Sequence, residues 1–333
     1  MKVLLTGAAG EVGYQTSLLL AKSNHEVILF DLKTKRSLKR LRPFQNKVKV
    51  VFGDINDTTL LKELLLDVDV VIHLAALIPP KADQYPTLAK KVNYQGTKNL
   101  VDLLEKYNPR AFLIYSSSVS VYGDRVNDYW IKVGDKLAPS LGDYYAETKI
   151  MAEDCLRASQ LSYTIFRFSA IMGEPKLDPL LFHMPLETKL EITSTVDTAI
   201  ALMKAINKEK ELTKKIFNLG GGENFRTNYY DFLSEMYQIY GLSKKMIRPE
   251  LFAEKNFHCG YYADSDQLET ILKFQKDNLE SYYKKVRTNY PLYKKLLSKA
   301  FSPLIGVFLK YKSEPYQARR TNNLELIARY FID

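Results

Sequence analysis

Tyr145 and Lys149, four residues apart, are the pair in this sequence best suited to moving a proton. They lie in Tyr144-Tyr145-Ala146-Glu147-Thr148-Lys149, which opens a segment of helical periodicity. On a helix, positions i and i+4 share one face, so the two side chains project together. A phenol ordinarily titrates near 10 and is a poor base at neutral pH. A neighbouring ammonium favours the phenolate and is expected to lower that value toward the useful range. Tyr144 is excluded from the part because Thr148 stands four residues after it. Upstream, the run Tyr115-Ser116-Ser117-Ser118-Val119-Ser120-Val121-Tyr122-Gly123 ends a strand in a cluster of hydroxyls. Ser118 is expected there to hold a substrate oxygen beside the phenol. The bland alternative is a structural tyrosine with a lysine in solvent.

What favours chemistry is the company this pair keeps. Thr6-Gly7-Ala8-Ala9-Gly10-Glu11-Val12-Gly13 lies between the first strand and the first helix. Gly7, Gly10 and Gly13 permit a tight turn and close approach of a pyrophosphate, and Glu11 and Val12 open the helix whose N–H groups meet that charge. A turn that merely packs helix on strand is the structural alternative. The second strand ends in Asp31, where an acid accepts hydrogen bonds from both adenosine ribose hydroxyls. Asp31 repels a 2′-phosphate, so the expected cofactor is NAD. NADP is the alternative that the basic run Lys33, Lys35 and Arg36 would permit, if that run is not simply a solvated helix face opposite Leu38 and Leu41.

Positioning these groups requires strands that alternate with helices. Apolar runs at Val3–Leu5, Val27–Phe30, Val48–Phe52, Val68–Leu74, Phe112–Tyr115 and Tyr163–Phe168 predict strands. Helical patterns at Val12–Ala21, Thr58–Leu65, Asn93–Glu105 and Tyr145–Ala158 separate most of them. That rhythm implies right-handed crossovers and a doubly wound, mostly parallel α/β sheet of Rossmann type, covered on both faces. After Phe168 the rhythm breaks into an irregular excursion over 173–191, with Pro175, Pro179 and Pro185. A helix at Val196–Ile206 and a strand at Lys215–Leu219 return to the pattern. The expected organisation is a dinucleotide-binding domain (1–172 and 194–221), a small substrate lobe (173–193 and 222–283), and a helical basic tail (284–333).

Composition excludes several function classes. In a chain of 333 residues with 46% hydrophobic residues, a substantial core can form. The histidines His25, His73, His183 and His258 are scattered without zinc-like spacing, and no metal is expected. Cys155 and Cys259 form no CxxC pair, which favours a reduced, cytoplasmic compartment. No signal-peptide pattern and no apolar run long enough to span a bilayer is present. The net charge of +10 is uneven: residues 284–333 hold 11 Lys/Arg against 3 Asp/Glu, leaving the rest nearly neutral. With no recognisable nucleic-acid module, a nucleic-acid partner is not expected.

With these residues in view, the chain resembles the extended short-chain dehydrogenase/reductases, the NAD-dependent epimerase/dehydratase family, over roughly residues 1–275. The marks are Thr6–Gly13, Asp31, Gly53-Asp54, His73-Leu74-Ala75-Ala76, Val92-Asn93 with Gly96-Thr97, Ser116–Gly123 and Tyr145–Lys149. Val196-Asp197 and Phe217-Asn218-Leu219-Gly220-Gly221-Gly222 match later landmarks. The resemblance implies Ser118, Tyr145 and Lys149 as the catalytic set, with Lys149 also touching the nicotinamide ribose. It implies Asp54 and Ile55 beside the adenine, and Leu74, Ala75, Ala76 and Asn93 along the dinucleotide cleft. For Asp54 a helix N-cap, and for His73 a core imidazole, are the bland readings. Substrate contacts are expected from 118–145, 169–193 and 248–262, with His183, Arg248 and His258 as candidates. Departures bear on the substrate. Ser118-Val119-Ser120 stands where sugar-nucleotide 4,6-dehydratases carry Thr-Asp-Glu, so that elimination lacks its acid pair. Ala170 replaces a diphosphate-holding Asn, and Leu190-Glu191-Ile192-Thr193-Ser194-Thr195 replaces a motif that opens with Arg.

The expected function is therefore an NAD-dependent oxidoreductase or epimerase acting on a small molecule at a secondary alcohol or ketone. The alternative from another class is a non-catalytic NAD(H)-binding sensor. In the tail, Leu292, Leu296, Leu297, Ala300, Phe301, Leu304, Ile305 and Phe308 recur at helical spacing among lysines, interrupted by Pro303. The preferred reading is a stripe packed on the body or on a second subunit of a homodimer. The other is attachment to an anionic membrane surface. The tail is expected to be dispensable for the chemistry.

Overall fold

The computed structural model describes residues 1–173 and 179–332. Pro175 and its share of the excursion lie outside them. Seven parallel strands form the central sheet: β1 (Lys2–Thr6), β2 (Glu26–Asp31), β3 (Lys49–Phe52), β4 (Val70–His73), β5 (Phe112–Ser118), β6 (Ser162–Phe168) and β7 (Lys215–Leu219). Their order is β7-β6-β5-β4-β1-β2-β3. Strand order reverses at β1, and in open α/β sheets ligands bind beyond the carboxyl ends at such a switch. Thr6 pairs in register with Phe30 and His73, and His73 with Tyr115, so these ends form one row.

The strands read as continuous apolar runs because helices cover both faces. On one face, α1 (Glu11–Leu20) and α5 (Thr195–Ala205) bury Leu20, Ala201, Leu202 and Ala205 against Val3, Leu5, Val27 and Leu29. On the other, α2 (Thr58–Leu65), α3 (Gly96–Tyr107) and α4 (Tyr144–Ala158) bury Leu61, Leu64, Leu100, Leu104, Ala152 and Leu156 against Leu4, Val71 and Leu113. Asp57, Asp143 and Ser194 cap α2, α4 and α5 through their side chains. The expected helix over Asn93–Glu105 is regular only from Gly96, because Lys90–Gln95 winds as a π-helix.

Two features of the later chain differ from expectation. The irregular excursion ends in a strand, Lys189–Ser194, which pairs with Ala170–Met172 and Arg226–Asn228. Its burial hides the usual alternation: Leu190 and Ile192 are buried, but so are Glu191 and Thr193. Glu191 is compensated by Arg226 Nε at 2.9 Å, Tyr262 N at 3.0 Å and Ser265 Oγ at 3.1 Å. The helix Ser265–Leu272, expected within the lobe, buries Leu268 and Leu272 in the same cluster as α1 and α5. A separate cluster around Phe182, Leu190, Phe225, Leu233, Phe252 and Tyr262 forms the core beside the sheet.

The tail divides in two. Its end packs: Ala318, Tyr330 and Phe331 are buried, and Ser313 donates to Leu251 O at 2.5 Å. The helices Leu292–Ala300 and Ser302–Lys312 leave most of their apolar side chains in solvent, so packing on the chain's own body does not account for the stripe. No described helix is long and apolar enough to cross a membrane.

Candidate active site

The loop after β1 can be built only with glycine at two of its positions. Gly7 has a φ of +71°, and a Cβ there would lie 2.7 Å from Ala75 N. A Cβ on Gly13 would lie 2.1 Å from the Gly7 carbonyl oxygen, so α1 could not approach its own loop. Gly10 begins α1 without a side-chain cap, leaving an N-terminus suited to an anion. Asp31 closes the loop from β2 by accepting from Ala9 N at 2.7 Å. Burial raises its carboxyl above the usual range, against the pull of the Ala9 amide.

The basic run after Asp31 resolves into contacts. Arg36 reaches Glu11 at 2.6 Å, and Arg40 reaches the same carboxylate at 3.2 Å while lying over Tyr14. Lys33 and Lys35 are exposed, Leu41 is buried, and Leu38 is exposed instead of lining an apolar side. Asp54 is exposed and accepts from Asn56 N at 2.9 Å; the N-cap of α2 is Asp57, which overturns the N-cap reading of Asp54. Ile55 is buried beside it.

His73 is a core imidazole. Its Nδ1 lies 2.7 Å from Thr6 Oγ1 and its Nε2 3.0 Å from Thr97 Oγ1. Thr97 gives its own proton to Asn93 O at 2.6 Å, so it accepts from His73, and the ring carries its hydrogen on Nε2. Burial, then the Lys149 charge, pulls the imidazole down to about 3, and it stays neutral. Asn93 is equally enclosed. Its amide donates to Leu77 O and Thr148 Oγ1 and accepts from Leu77 N, tying the loop after β4 to α4. Leu74, Ala75 and Ala76 are partly exposed in that loop, facing Gly7 across the switch point.

At the carboxyl end of β5 the proposed proton-moving groups meet. The Lys149 ammonium is buried, donates to Ser116 O at 2.7 Å, and lies 5.7 Å from the Tyr145 ring centre. Ser118 reaches the Tyr145 phenol and accepts from Ser120 N at 3.2 Å. Burial pulls Lys149 down to about 7. Burial, then Asp143, pushes the Tyr145 phenol above its ordinary value, and only Ser118 opposes them. The expected lowering of the phenol by Lys149 is thus not what this geometry produces: burial and Asp143 raise it, and the ammonium is engaged by Ser116 O.

The substrate candidates fall into different roles. His258 Nδ1 lies 3.3 Å from the Asp143 carboxylate, which also caps α4 beside Tyr145. His183 Nε2 faces Glu314 at 2.9 Å and Tyr330 Oη at 3.2 Å, both from the tail. Arg248 is exposed and paired with Glu250. Among the described residues no group of three or more His, Cys, Asp or Glu comes together to hold a metal ion.

Known proteins are similar to this chain in both sequence and fold. The family model of the NAD dependent epimerase/dehydratase family matches residues 3–184. The chain belongs to that family. Within the NAD dependent epimerase/dehydratase family, a putative UDP-glucose 4-epimerase of Methanocaldococcus jannaschii is 26% identical over 68% of this chain and 79% of its own length. A D-erythronate dehydrogenase of Haemophilus influenzae is 30% identical over 46% of this chain and 48% of its own. In fold, the UDP-glucuronic acid 4-epimerase of Bacillus cereus, solved with UDP-glucuronic acid and NAD, covers 87% of this chain and all of its own at a TM-score of 0.69 and 21% identity. This protein is accordingly an NAD-dependent enzyme of the extended short-chain dehydrogenase/reductase type.

Sequence reasoning missed what holds the family's pattern in place here. Glu153, fully buried, receives Ser117 Oγ at 2.5 Å and a two-pronged contact from Arg167, at 3.0 Å and 2.7 Å. Arg167 also donates to Tyr122 Oη at 2.8 Å, which donates to Asn218 at 2.7 Å. Two signals pointed to it: Tyr145, Lys149 and Glu153 form one stripe at spacing four, and Arg167 interrupts an otherwise buried strand.

Proposed function

We propose that the enzyme interconverts a secondary alcohol and a ketone on a small-molecule substrate, with Tyr145 as the acid/base, Lys149 beside it and Ser118 holding the substrate oxygen. The observation that carries this is the meeting of these three at the end of β5, next to the glycine loop and Asp31. Gly7, Gly10 and Gly13, the start of α1 and Asp31 would hold the dinucleotide. Bound NAD supplies the hydride acceptor or donor at the carbinol carbon. With its phenol held protonated, Tyr145 gives that proton to the carbonyl oxygen as the alcohol forms and receives it in the reverse direction. Asn93 acts through position alone, by holding Thr148 and the loop after β4.

Epimerase and dehydrogenase chemistry share this first step, and this chain is similar to relatives named for each kind. A 4,6-elimination is disfavoured, since Val119 and Ser120 are buried and Ser120 donates to Ser118 at 3.0 Å. A sugar nucleotide also has less support, because buried Leu190 stands where a diphosphate-binding arginine is expected. Mass spectrometry of metabolites retained by the purified protein, with absorbance at 340 nm as hydride moves, tests the proposal. NADH formation with a retained alcohol, lost in Tyr145→Phe, is the expected result; turnover undiminished in that variant would overturn it. Calorimetric titration of both cofactors is expected to show tighter binding of NAD than NADP. Asp31→Ala should narrow the difference.

A further inference from the structure

We propose that the two consecutive helices over Leu292–Lys312 dock the enzyme on an anionic lipid bilayer. Its first helix, Leu292–Ala300, buries none of its residues, and Leu292, Tyr293, Leu296 and Leu297 are 51–70% exposed. They recur at spacings of four on one side. The second, Ser302–Lys312, repeats the device with Leu304, Val307, Phe308 and Tyr311, 44–73% exposed at spacings of three and four. Pro303, expected to break an interfacial helix, sits in the first turn of the second one, where its missing N–H costs nothing. The result is two adjoining apolar stripes in place of one.

The two helices are anchored to the body from behind. Leu309 is buried on the opposite side, and Tyr290 packs edge-on against Tyr240 with ring centres 4.7 Å apart. Gly241, at φ +79°, lets Lys295 O come so near that a Cβ would lie 2.5 Å away. An apolar face of this extent on two anchored helices marks an interaction site.

Charge selects the occupant. From Ser281 to Ser313 the chain holds eight Lys and Arg and no Asp or Glu. Among the described residues no ion pair engages Lys294, Lys295 or Lys299, while Arg287 is taken by Glu235. A second copy of this chain would set like charge against like across a two-fold contact. An anionic bilayer instead offers acyl chains to the stripes and phosphates to lysines that extend upward from them.

Flotation of the full chain with vesicles of phosphatidylcholine, alone or mixed with phosphatidylserine, tests the proposal. The protein is expected to float with the mixed vesicles, weakly with the neutral ones, and to be released by high salt. Replacing Lys294, Lys295 and Lys299 together by Gln should weaken binding on the order of a hundredfold, about fivefold for each lysine. Leu296→Ser with Phe308→Ser should abolish it, with NAD binding retained in both variants as the control for folding. No flotation with either vesicle, or flotation unaltered in both variants, overturns the proposal. So does a concentration-dependent dimer, seen by sedimentation without flotation, that the Leu296→Ser/Phe308→Ser variant dissolves.

Discussion

Replacing Tyr145 by phenylalanine removes one hydroxyl from a site where burial and Asp143 hold the phenol protonated. Under the proposed assignment, turnover falls on the order of 10²–10⁴-fold while NAD affinity, followed by calorimetry, stays nearly constant. Lys149 makes a separate and signed prediction. Burial brings it to about 7 in the folded protein, against 10.5 unfolded. The folded value is the lower one, so the unfolded chain binds the extra proton between those two values, and stability rises with pH across that window. Below about 7 both states are protonated and the cost of the buried charge is fully felt. In thermal melts, Lys149→Met should therefore compare best with the parent near neutral pH and lose that advantage toward pH 10.5. A difference that does not vary with pH would show that Lys149 is not the group titrating.

Elements hold these residues through buried polar contacts as much as through packing. Arg167 on β6 and Glu153 on α4 join strand to helix directly beneath Lys149, with Ser117 of β5 as a third member. Arg167→Met would leave a fully buried carboxylate short of its main partner, and a loss of about 3–5 kcal/mol is expected from urea denaturation. The paired variant Arg167→Met with Glu153→Leu should recover much of that loss, because no unpaired charge remains. The loop after β1 is constrained more severely. Gly13→Ala places a methyl 2.1 Å from the Gly7 carbonyl oxygen. Loss of NAD binding, with the seven-stranded sheet retained by circular dichroism, is the expected outcome.

Across the whole molecule, the tail closes onto the body that the family's pattern builds. Tyr330 and Phe331 are buried with Ala253, Arg319 lies over Phe331, and Arg329 donates to Gly142 O at 3.4 Å beside α4. Glu314 is held down to about 2, first by its contact with His183 and then by Tyr330. A carboxylate depressed this way contributes above its ordinary value of 4.5 and loses that contribution as pH falls toward 2. Truncation after residue 283 is therefore expected to lower the melting temperature and uncover His183, a cost in stability that the expected dispensability for the chemistry does not address. A truncated protein that melts like the full chain would show that these contacts carry no stability.

Spacing along the chain determined the parallel sheet, the glycine loop, Asp31 and the Tyr145–Lys149 face, because each is written as a local pattern. A glycine required by φ, an i,i+4 pair and a run of β-branched residues all act over a few neighbouring residues. Only the tertiary structure decided the rest. His73 became a neutral core imidazole because Thr6 and Thr97 meet it from two other elements. Lys149 and Tyr145 took opposite shifts from those that proximity alone predicts, since desolvation depends on everything packed around them. Asp57 rather than Asp54 caps α2, a matter of one hydrogen bond that composition cannot distinguish. The tail's apolar stripe could be core or surface with the same periodicity; which it is depends on what the rest of the chain brings to that side, and the described residues leave Leu292, Leu296 and Leu297 exposed there.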